Sequence, residues 1–272
     1  MTGDATKTHA GIQSLLDIMR RLRDPDSGCP WDLKQNFHTI VPFTIEETYE
    51  LADAIAAEDY AQIRDELGDV LFQVVFYAQM ASEQSLFTFE DVVDGIVEKL
   101  RRRHPHVFAA TGGQSVSAGE VKERWEQIKG EERQRKNQNG TLDDIPKALP
   151  ALSRSQKLQQ RAARVGFDWS ELDAVRGKVD EELGELAEAI SEGESAAIES
   201  EVGDIFLAMV NLARHLGVDA EAALRHANRR FEKRFRLMET AADRDGGQLS
   251  EESLERLEER WQAAKRELAA RG

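Results

Sequence analysis

One acidic pattern occurs twice in this chain of 272 residues and limits the folds open to it. The first copy reads Glu46-Glu47-x-x-Glu50, followed after fifteen residues by Glu66-x-Gly68-Asp69. The second copy reads Glu181-Glu182-x-x-Glu185, followed by Glu201-x-Gly203-Asp204. All five acids and the glycine are displaced by 135 residues, which identifies an internal repeat. Two copies predict a duplicated module rather than a solenoid.

The spacing of the acids predicts a helical hairpin in each copy. Glu47 and Glu50 are three residues apart, as are Glu66 and Asp69, so each pair lies on one helix face. Measured from a turn at Glu58, Glu50 and Glu66 lie eight residues away, and Glu47 and Asp69 lie eleven. At ~1.5 Å per residue, antiparallel helices then bring four carboxylates face to face. The corresponding turn and acids of the second copy are Gly193, Glu182, Glu185, Glu201 and Asp204.

A set of facing carboxylates favours a bound divalent cation, because the acids otherwise repel one another. An all-oxygen set without His or Cys indicates Mg²⁺ or Mn²⁺, and the Glu-x-x-His motif of di-iron bundles is absent from these helices. An ordinary solvated acidic face is the competing interpretation. The duplication disfavours it, as do the apolar helices that carry Glu66 and Glu201. Gly68 and Gly203 lie inside those helices, which leads us to expect close approach of a ligand or another helix.

A helix with a basic run is predicted after each acidic hairpin. Enzymes that act on phosphoryl groups commonly combine acids that hold a metal with Arg and Lys side chains that bind phosphate. The alternative is simple ion pairing between the acidic and basic helices. The basic residues are Lys99, Arg102 and Arg103 in the first copy and Arg230, Lys233 and Arg234 in the second.

The composition limits the kinds of binding partner and the cellular compartment that we expect for this protein. The net charge of −15 disfavours a nucleic-acid backbone, and it makes a polyphosphate site hard to explain without a divalent cation. The single cysteine, Cys29, excludes a disulfide framework within the chain and fits a reducing compartment. No run of 18 apolar residues and no apolar signal core occurs. We therefore expect a cytoplasmic protein with neither a membrane nor a nucleic-acid partner.

Apolar periodicity predicts an all-α protein of two tandem modules, 10–135 and 146–270, joined by a linker over 136–145. Thr44 with Glu47 has the pattern of a capping box at the start of the first acidic helix. The helix that follows is apolar nearly all round, which predicts burial. The predicted helices span 12–22, 44–57, 60–81, 89–103, 121–135, 152–165, 170–190, 198–216, 219–238 and 250–269, and aromatic loops are predicted at 28–32 and 166–169.

The chain resembles the MazG family of nucleoside triphosphate pyrophosphohydrolases, within the all-α NTP pyrophosphatase superfamily. The two acidic sets carry the resemblance together with three further segments in family order. These segments are Gly28-Cys29-Pro30-Trp31-Asp32, residues 102–108 (RRHPHVF) and residues 161–169 (RAARVGFDW). The acidic motif alone is shared with dimeric dUTPases and phosphoribosyl-ATP pyrophosphohydrolases, whereas the other segments are specific.

The resemblance implies Mg²⁺-dependent hydrolysis of NTPs and dNTPs to the monophosphate and pyrophosphate by a homodimer of helical bundles. It also implies that the C-terminal module is the main catalytic one. The metal ligands then match Glu182, Glu185, Glu201 and Asp204. The nucleotide contacts match Lys178, Asn228, Arg230, Lys233, Arg234 and Trp261.

The first module departs from the family pattern. It keeps the acids Glu47, Glu50, Glu66 and Asp69, but Phe43 stands where Lys178 would fall and Val97 where Asn228 would. In the second module, Arg230 replaces a lysine that the family often has, which keeps the charge and changes its geometry.

Our hypothesis is that water attacks a phosphorus at the α–β bridge and pyrophosphate leaves. Glu181, Glu182 or Glu185 accepts the proton, and Arg230, Lys233 and Arg234 neutralise the developing charge. Two alternatives stay open at this point: a helical dimer that senses nucleotide or metal without turnover, and a narrow enzyme of the dUTPase type. The sequence also leaves open the base preference and the role of the first module.

Overall fold

The computed structural model of the chain describes residues 11–108 and 140–271, with the isolated residues Gly119, Ile128 and Gly130. Every regular element within these residues is helical, which confirms the predicted all-α class. The chain divides into two compact units, Met1–Ile128 (unit 1) and Lys129–Gly272 (unit 2). Most of the helix predicted over 121–135 lies outside the described residues, as does the part 136–139 of the predicted linker. None of the described helices has the length and apolar character needed to cross a bilayer.

Unit 1 is built around a hairpin of two long helices, with shorter helices packed against the second of them. Its apolar core consists of Met19, Ile40, Val75, Phe76 and Met80, each at most 1% exposed. The helices are α1 (Ile12–Leu22), α2 (Pro30–Lys34), α3 (Phe37–Ala57), α4 (Tyr60–Glu83), α5 (Phe89–Arg103) and α6 (Pro105–Phe108). The segment predicted as a loop over 28–32 therefore ends in the short helix α2.

The start of the first acidic helix was predicted wrongly. Helix α3 begins at Phe37, and its capping box is formed by Asn36 and Thr39 rather than by Thr44 and Glu47. Pro42 lies inside the helix, where it removes one backbone hydrogen bond. Burial of the residues before it outweighs that loss, since Ile40 is 1% exposed and Phe37 stacks on Tyr77. Thr44 Oγ1 instead bonds the Ile40 carbonyl oxygen and the Tyr77 hydroxyl.

The predicted burial of α4 holds on one face only. Val75 and Phe76 are fully buried in unit 1. Leu67, Leu71 and Val74 are 52%, 41% and 39% exposed, and their spacing places them along one side of the helix. The prediction of a helix buried all round is therefore wrong for the chain taken by itself.

Unit 2 repeats the hairpin and adds a longer third helix. Its helices are α7 (Ala151–Ala163), α8 (Leu172–Glu192), α9 (Ser195–His215), α10 (Ala220–Arg244) and α11 (Leu254–Arg271), with a 3₁₀ turn at Leu249–Glu251. Helix α7 packs on α9 and α10, and α11 packs on α10. Helices α3 and α8 begin and end 135 residues apart, as do the first residues of α4 and α9. The two hairpins therefore share one register.

The turns of the two hairpins lie where the arithmetic on the acids placed them. Glu58 ends α3 and Gly193 ends α8, both with left-handed backbone, at φ 56° and 78°. Glycine adopts this conformation without strain, whereas Glu58 adopts it with a side chain present.

Candidate active site

Three acids of unit 1 converge across the α3–α4 hairpin. Glu47, Glu66 and Asp69 each place a carboxylate oxygen within 4.8 Å of the other two. Glu66 is 8% exposed, which is rare for a carboxylate and calls for a partner of opposite charge.

Unit 2 repeats the convergence across the α8–α9 hairpin. Glu182, Glu201 and Asp204 offer oxygens within 4.8 Å of one another, and Glu182 is 5% exposed. These are the residues displaced by 135 positions from the three of unit 1. The duplicated sequence pattern thus produces a duplicated cluster of carboxylates.

The fourth acid of each set lies beside its cluster rather than within it. The charge of Glu66, followed by burial, raises the pKa of Glu50, as expected for residues at the same level of the hairpin. Burial raises the pKa of Glu47, and the charge of Asp69 adds to that rise. Burial and then the charge of Glu182 raise the pKa of Glu185. The structure therefore groups three oxygens tightly in each unit, with Glu50 and Glu185 next to them.

The geometry of both clusters fits a hard divalent cation. The clustered ligand atoms are all carboxylate oxygens, which Mg²⁺ and Mn²⁺ prefer. Burial, followed by the charges of the nearby acids, raises the pKa values of Glu47 and Glu185, and a bound cation would relieve the repulsion between these charges. The residues present are thus suited to the metal that the sequence predicted.

Lys178 gives the cluster of unit 2 a cation from the protein itself. Its Nζ lies 2.9 Å from Glu181 Oε1 and 2.8 Å from Glu182 Oε1, one turn away along α8. Hydrogen bonds to Glu182 and then Glu181 raise the pKa of Lys178, so it is charged at neutral pH. At the corresponding position of unit 1, Phe43 packs edge-on against Trp31 with ring centroids 5.6 Å apart. Only one of the two acidic clusters therefore has this lysine.

A cavity of about 140 Å³ adjoins the acids of unit 2. Glu182, Asp204 and Lys178 line it together with residues of α7, α9 and the aromatic loop 166–169. Arg214 of α9 holds that loop in place by a hydrogen bond from its guanidinium to Asp168. The hydrogen bond from Arg214 holds the pKa of Asp168 below its usual range. Burial opposes this shift with a smaller effect, and a hydrogen bond with His215 adds to it.

The basic side chains of α10 lie apart from the acidic cluster of unit 2. The Arg234 guanidinium lies 5.4 Å from the centre of the Trp261 ring, and Trp261 also contacts Phe231 at 5.3 Å between centroids. Asn228, Arg230 and Lys233 are exposed on α10. Across the described residues, no ion pair joins these basic side chains to the acidic cluster. The alternative of ion pairing between the acidic and basic helices is therefore not what unit 2 shows.

Gly68 and Gly203 are not sites of close helix packing within the described chain. A Cβ built at either glycine meets no protein atom within 4 Å. A close contact with another helix is thus absent among the described residues, and the space beside both glycines is open. Close approach of a ligand stays a prediction.

Comparisons with known proteins agree with this geometry. The MazG nucleotide pyrophosphohydrolase domain matches the chain over residues 35–108 and again over 172–236. The nucleoside triphosphate pyrophosphohydrolase of Escherichia coli K12 is 54% identical over 258 residues, which cover 94% of this chain and 97% of that protein. The MazG nucleoside triphosphate pyrophosphohydrolase/pyrophosphatase of Thermotoga maritima is 45% identical with the same coverage.

The chain belongs to the MazG family. Each family segment contains one acidic hairpin and reaches into the basic helix that follows, which confirms the two-module prediction. The modules' predicted boundaries stay predictions. Residues of α7, the loop 166–169 and Trp261 lie outside both matched segments of the MazG domain.

Sequence reasoning missed the polar residues that line the cavity of unit 2. Gln159 lies on a different helix from the acids, Asn211 and Arg214 follow Asp204 by about two and three turns of α9, and each is an ordinary helix residue when taken alone. The repeat held one signal. Asn211 of unit 2 and Phe76 of unit 1 are equivalent positions of the repeat, 135 residues apart, and only the first of them is polar.

Proposed function

We propose that this MazG protein is a Mg²⁺-dependent nucleoside triphosphate pyrophosphohydrolase that acts on the cytoplasmic nucleotide pool. The substrate is an NTP or dNTP, and the products are the monophosphate and pyrophosphate. The observation that carries the proposal is the cluster of Glu182, Glu201 and Asp204 beside a charged lysine and a cavity.

The acids of unit 2 would hold the metal, with Glu185 beside them as a further ligand. Mg²⁺, when bound, supplies positive charge to the triphosphate and lowers the pKa of a water molecule. The lysine at position 178 faces the same acids and is placed to interact with a phosphate oxygen. Phosphates are therefore expected where Lys178 and the acidic cluster meet.

The reaction forms one bond and breaks one. The oxygen of a water molecule bonds to a phosphorus at the α–β bridge, while the bond from that phosphorus to the bridging oxygen breaks. When the attacked phosphorus is the α-phosphorus, pyrophosphate leaves with the electron pair of the broken bond; when it is the β-phosphorus, the monophosphate leaves with that pair and the water oxygen becomes part of pyrophosphate. In either case the proton of the water passes to a carboxylate. Glu181 and Glu185 flank the ligand group and are our candidates for that acceptor, with Glu182 as the alternative.

The basic helix would act on the polyphosphate from the other side. Arg230, Lys233 and Arg234 carry charge that neutralises the leaving pyrophosphate. Asn228 and Trp261 belong to the same surface, and the contact of Arg234 with Trp261 orients that guanidinium. These nucleotide-binding roles remain part of the proposal.

The exposed apolar faces support a homodimer. On α4, Leu67, Leu71 and Val74 share one side, and on α9 the side chains of Phe206 and Met209 are 58% and 47% exposed. Such faces mark surfaces that another chain covers. Sedimentation analysis is expected to give twice the mass of the 30.6 kDa chain, and a monomer at micromolar concentration would contradict the dimer.

Product analysis tests the activity directly. The full chain is incubated with each NTP or dNTP in turn and Mg²⁺, and the products are separated. Monophosphate and pyrophosphate are the expected pair. Release of a diphosphate and orthophosphate would reject the bond assignment, and nucleotide binding without any product over hours would favour a sensor.

A further inference from the structure

The most deeply buried face of α11 carries a charged residue. Among the residues of α11 that the structure describes, the buried ones are Ala264 and Arg260, which are 3% and 8% exposed. They lie four positions apart and therefore on one face of the helix. The alanine side chain is a single methyl group, and burial of a group of that size contributes only about 0.8 kcal/mol. Apolar packing therefore supplies only part of what holds α11 on α10.

The backbone that joins α10 to α11 does not fix the direction of α11 by itself. It spans residues 245–253 and begins with Asp245-Gly246-Gly247, in which Gly246 has a left-handed φ of 77°. Glycine has no Cβ, so two glycines in succession leave the backbone many conformations. A contact that ties α11 to this segment restricts them.

Arg260 makes such a contact with both ends of the segment. Its Nε lies 2.7 and 2.9 Å from the two carboxylate oxygens of Glu252, and its Nη2 lies 2.6 Å from Glu252 Oε1 and 2.8 Å from Asp245 Oδ2. Arg256 lies 3.6 Å from the same Asp245 oxygen. Two arginines thus face two carboxylates, and this balance of charge permits a guanidinium to be buried. We call these four residues the Arg260 cluster.

Trp261 follows Arg260 in the sequence, so a rigid α11 links the position of the Trp261 ring to the Arg260 cluster. The ring centroid lies 5.3 Å from that of Phe231 and 5.4 Å from Cζ of Arg234. Arg234 Nε is buried and has no hydrogen-bond partner in the part of the chain that the structure describes. Packing against Trp261, rather than a hydrogen bond through Nε, therefore supports this guanidinium.

We propose that Arg260 is a positioning residue of unit 2. It fixes the direction of α11 through Asp245 and Glu252. A correctly directed α11 places Trp261 against Arg234, on the surface where the nucleotide is expected. The inference rests on the function proposed above, which assigns Arg234 and Trp261 to the nucleotide. Arg260 acts on the nucleotide only through these two side chains.

Fluorescence of Trp261 tests the positioning step in the full chain without any nucleotide. The emission of Trp261 is obtained in each variant by subtracting the spectrum of the same chain with Trp261→Phe. Arg260→Met keeps a long side chain but removes the charge, so the Trp261 emission is expected to move to longer wavelength as the ring loses its contacts and meets water. Arg266→Met on the exposed side of α11 is the matched control and should leave the emission unchanged.

A double-mutant cycle tests the step from Trp261 to the nucleotide. The probe is a nucleoside triphosphate whose α–β bridge is methylene, titrated with Mg²⁺ by calorimetry. Arg260→Met and Trp261→Ala are each expected to weaken its binding about tenfold. In the Trp261→Ala chain, Arg260→Met should weaken binding further by less than about twofold, because a residue that acts through Trp261 has no second route. Losses that multiply across the two changes would overturn the inference.

Glu252→Gln provides a second variant in case Arg260→Met does not fold. It leaves Arg260 in place and removes one charge of the cluster. The Trp261 emission should shift in the same direction, and binding of the probe should weaken about threefold. Urea unfolding identifies the variants that are folded at the assay temperature. An unchanged Trp261 emission in the folded variants contradicts the positioning role.

The outcomes separate this inference from the proposed function. A wild-type chain that releases monophosphate and pyrophosphate, while Arg260→Met or Trp261→Ala binds the probe normally, refutes the inference and keeps the activity. A wild-type chain that forms no product, yet binds the probe in a way that depends on Arg260 through Trp261, refutes the activity and keeps the inference.

Discussion

The two units of this MazG protein share a hairpin and differ in what surrounds it. Helices α3 and α8 cover the same 21 positions of the repeat, and both hairpins bring three carboxylates within 4.8 Å. Around the acids, unit 1 has Phe43 and Phe76 where unit 2 has Lys178 and Asn211. The hairpin alone thus sets the arrangement of the carboxylates, whereas the space for a substrate depends on a few side chains around them.

The difference also affects how each unit is stabilised. Phe76 lies fully buried beside Met19 and Met80, so aromatic packing contributes to the stability of unit 1. Each unit has a buried amide oxygen without a partner, that of Gln73 in unit 1 and that of Gln159 in unit 2, but unit 2 also has a cavity beside its acids. A binding site requires such unfilled space, which lowers stability in the absence of ligand. Unit 1 is accordingly the better candidate for a scaffold.

The strongest test of the comparison is to remove one acid from each unit. Glu182→Gln is expected to lower kcat by about 10²–10³-fold, because a charged ligand that faces the reacting phosphates is lost. Glu47→Gln, the matched change 135 residues earlier, is expected to alter kcat by less than threefold. Pyrophosphate release at saturating Mg²⁺ measures both variants. A loss of similar size in the two would show that unit 1 also turns over substrate.

A smaller effect is expected from the lysine that distinguishes the clusters. Lys178→Met keeps the length of the side chain but removes its charge, so the KM for the nucleotide should rise about tenfold. The affinity for Mg²⁺ in the absence of nucleotide should increase, since a cation 2.8 Å from Glu182 is gone. The matched control is Phe43→Met, for which steady-state kinetics should show unchanged KM. An unchanged KM in Lys178→Met would remove this residue from the phosphate site.

The sequence predicted the hairpins well because two independent regularities agree there. The acid spacing and the repeat gave the turn positions, and the structure has the left-handed residues Glu58 and Gly193 at those places. The start of α3 was missed because the pattern of Thr44 and Glu47 was interpreted as a capping box. In the structure, Ile40 and Phe37 extend the helix by burying their side chains, a tertiary effect that local rules do not contain.

The polar lining of the cavity was beyond prediction for a different reason. Gln159 and Asn211 come from different helices, and their meaning depends on which groups their amides already bond. In the structure the Gln159 amide donates to the Leu207 carbonyl oxygen, and Asn211 Oδ1 accepts from Arg214. A sequence pattern records neither.

The smallest expected effect concerns the ion pairs that brace each unit. In unit 1, Arg23 binds Glu83 through two nitrogens, with Nη2 at 2.6 Å from Oε2. Burial alone would raise the pKa of Glu83, but its hydrogen bonds with Arg23 and Gln79 outweigh burial and lower it below 4.5. In unit 2 a different ion pair joins Arg214 to Asp168, whose pKa is lowered by the same kind of bond. Both carboxylates therefore stabilise the folded chain only while they are ionised.

Substitution of each carboxyl group by its amide measures this contribution. A carboxyl whose folded pKa is depressed contributes stability above its unfolded pKa and loses it as the pH falls through the folded value. Glu83→Gln should therefore lower the free energy of unfolding by about 1 kcal/mol at pH 7, with a shrinking difference from wild type as the pH falls below about 4. Asp168→Asn should behave alike but should also weaken nucleotide binding, because Asp168 holds the loop beside the cavity. Urea unfolding at pH 7 and pH 3 decides the point, and a difference that stays constant with pH would mean that the ion pair with Arg23 is not its source.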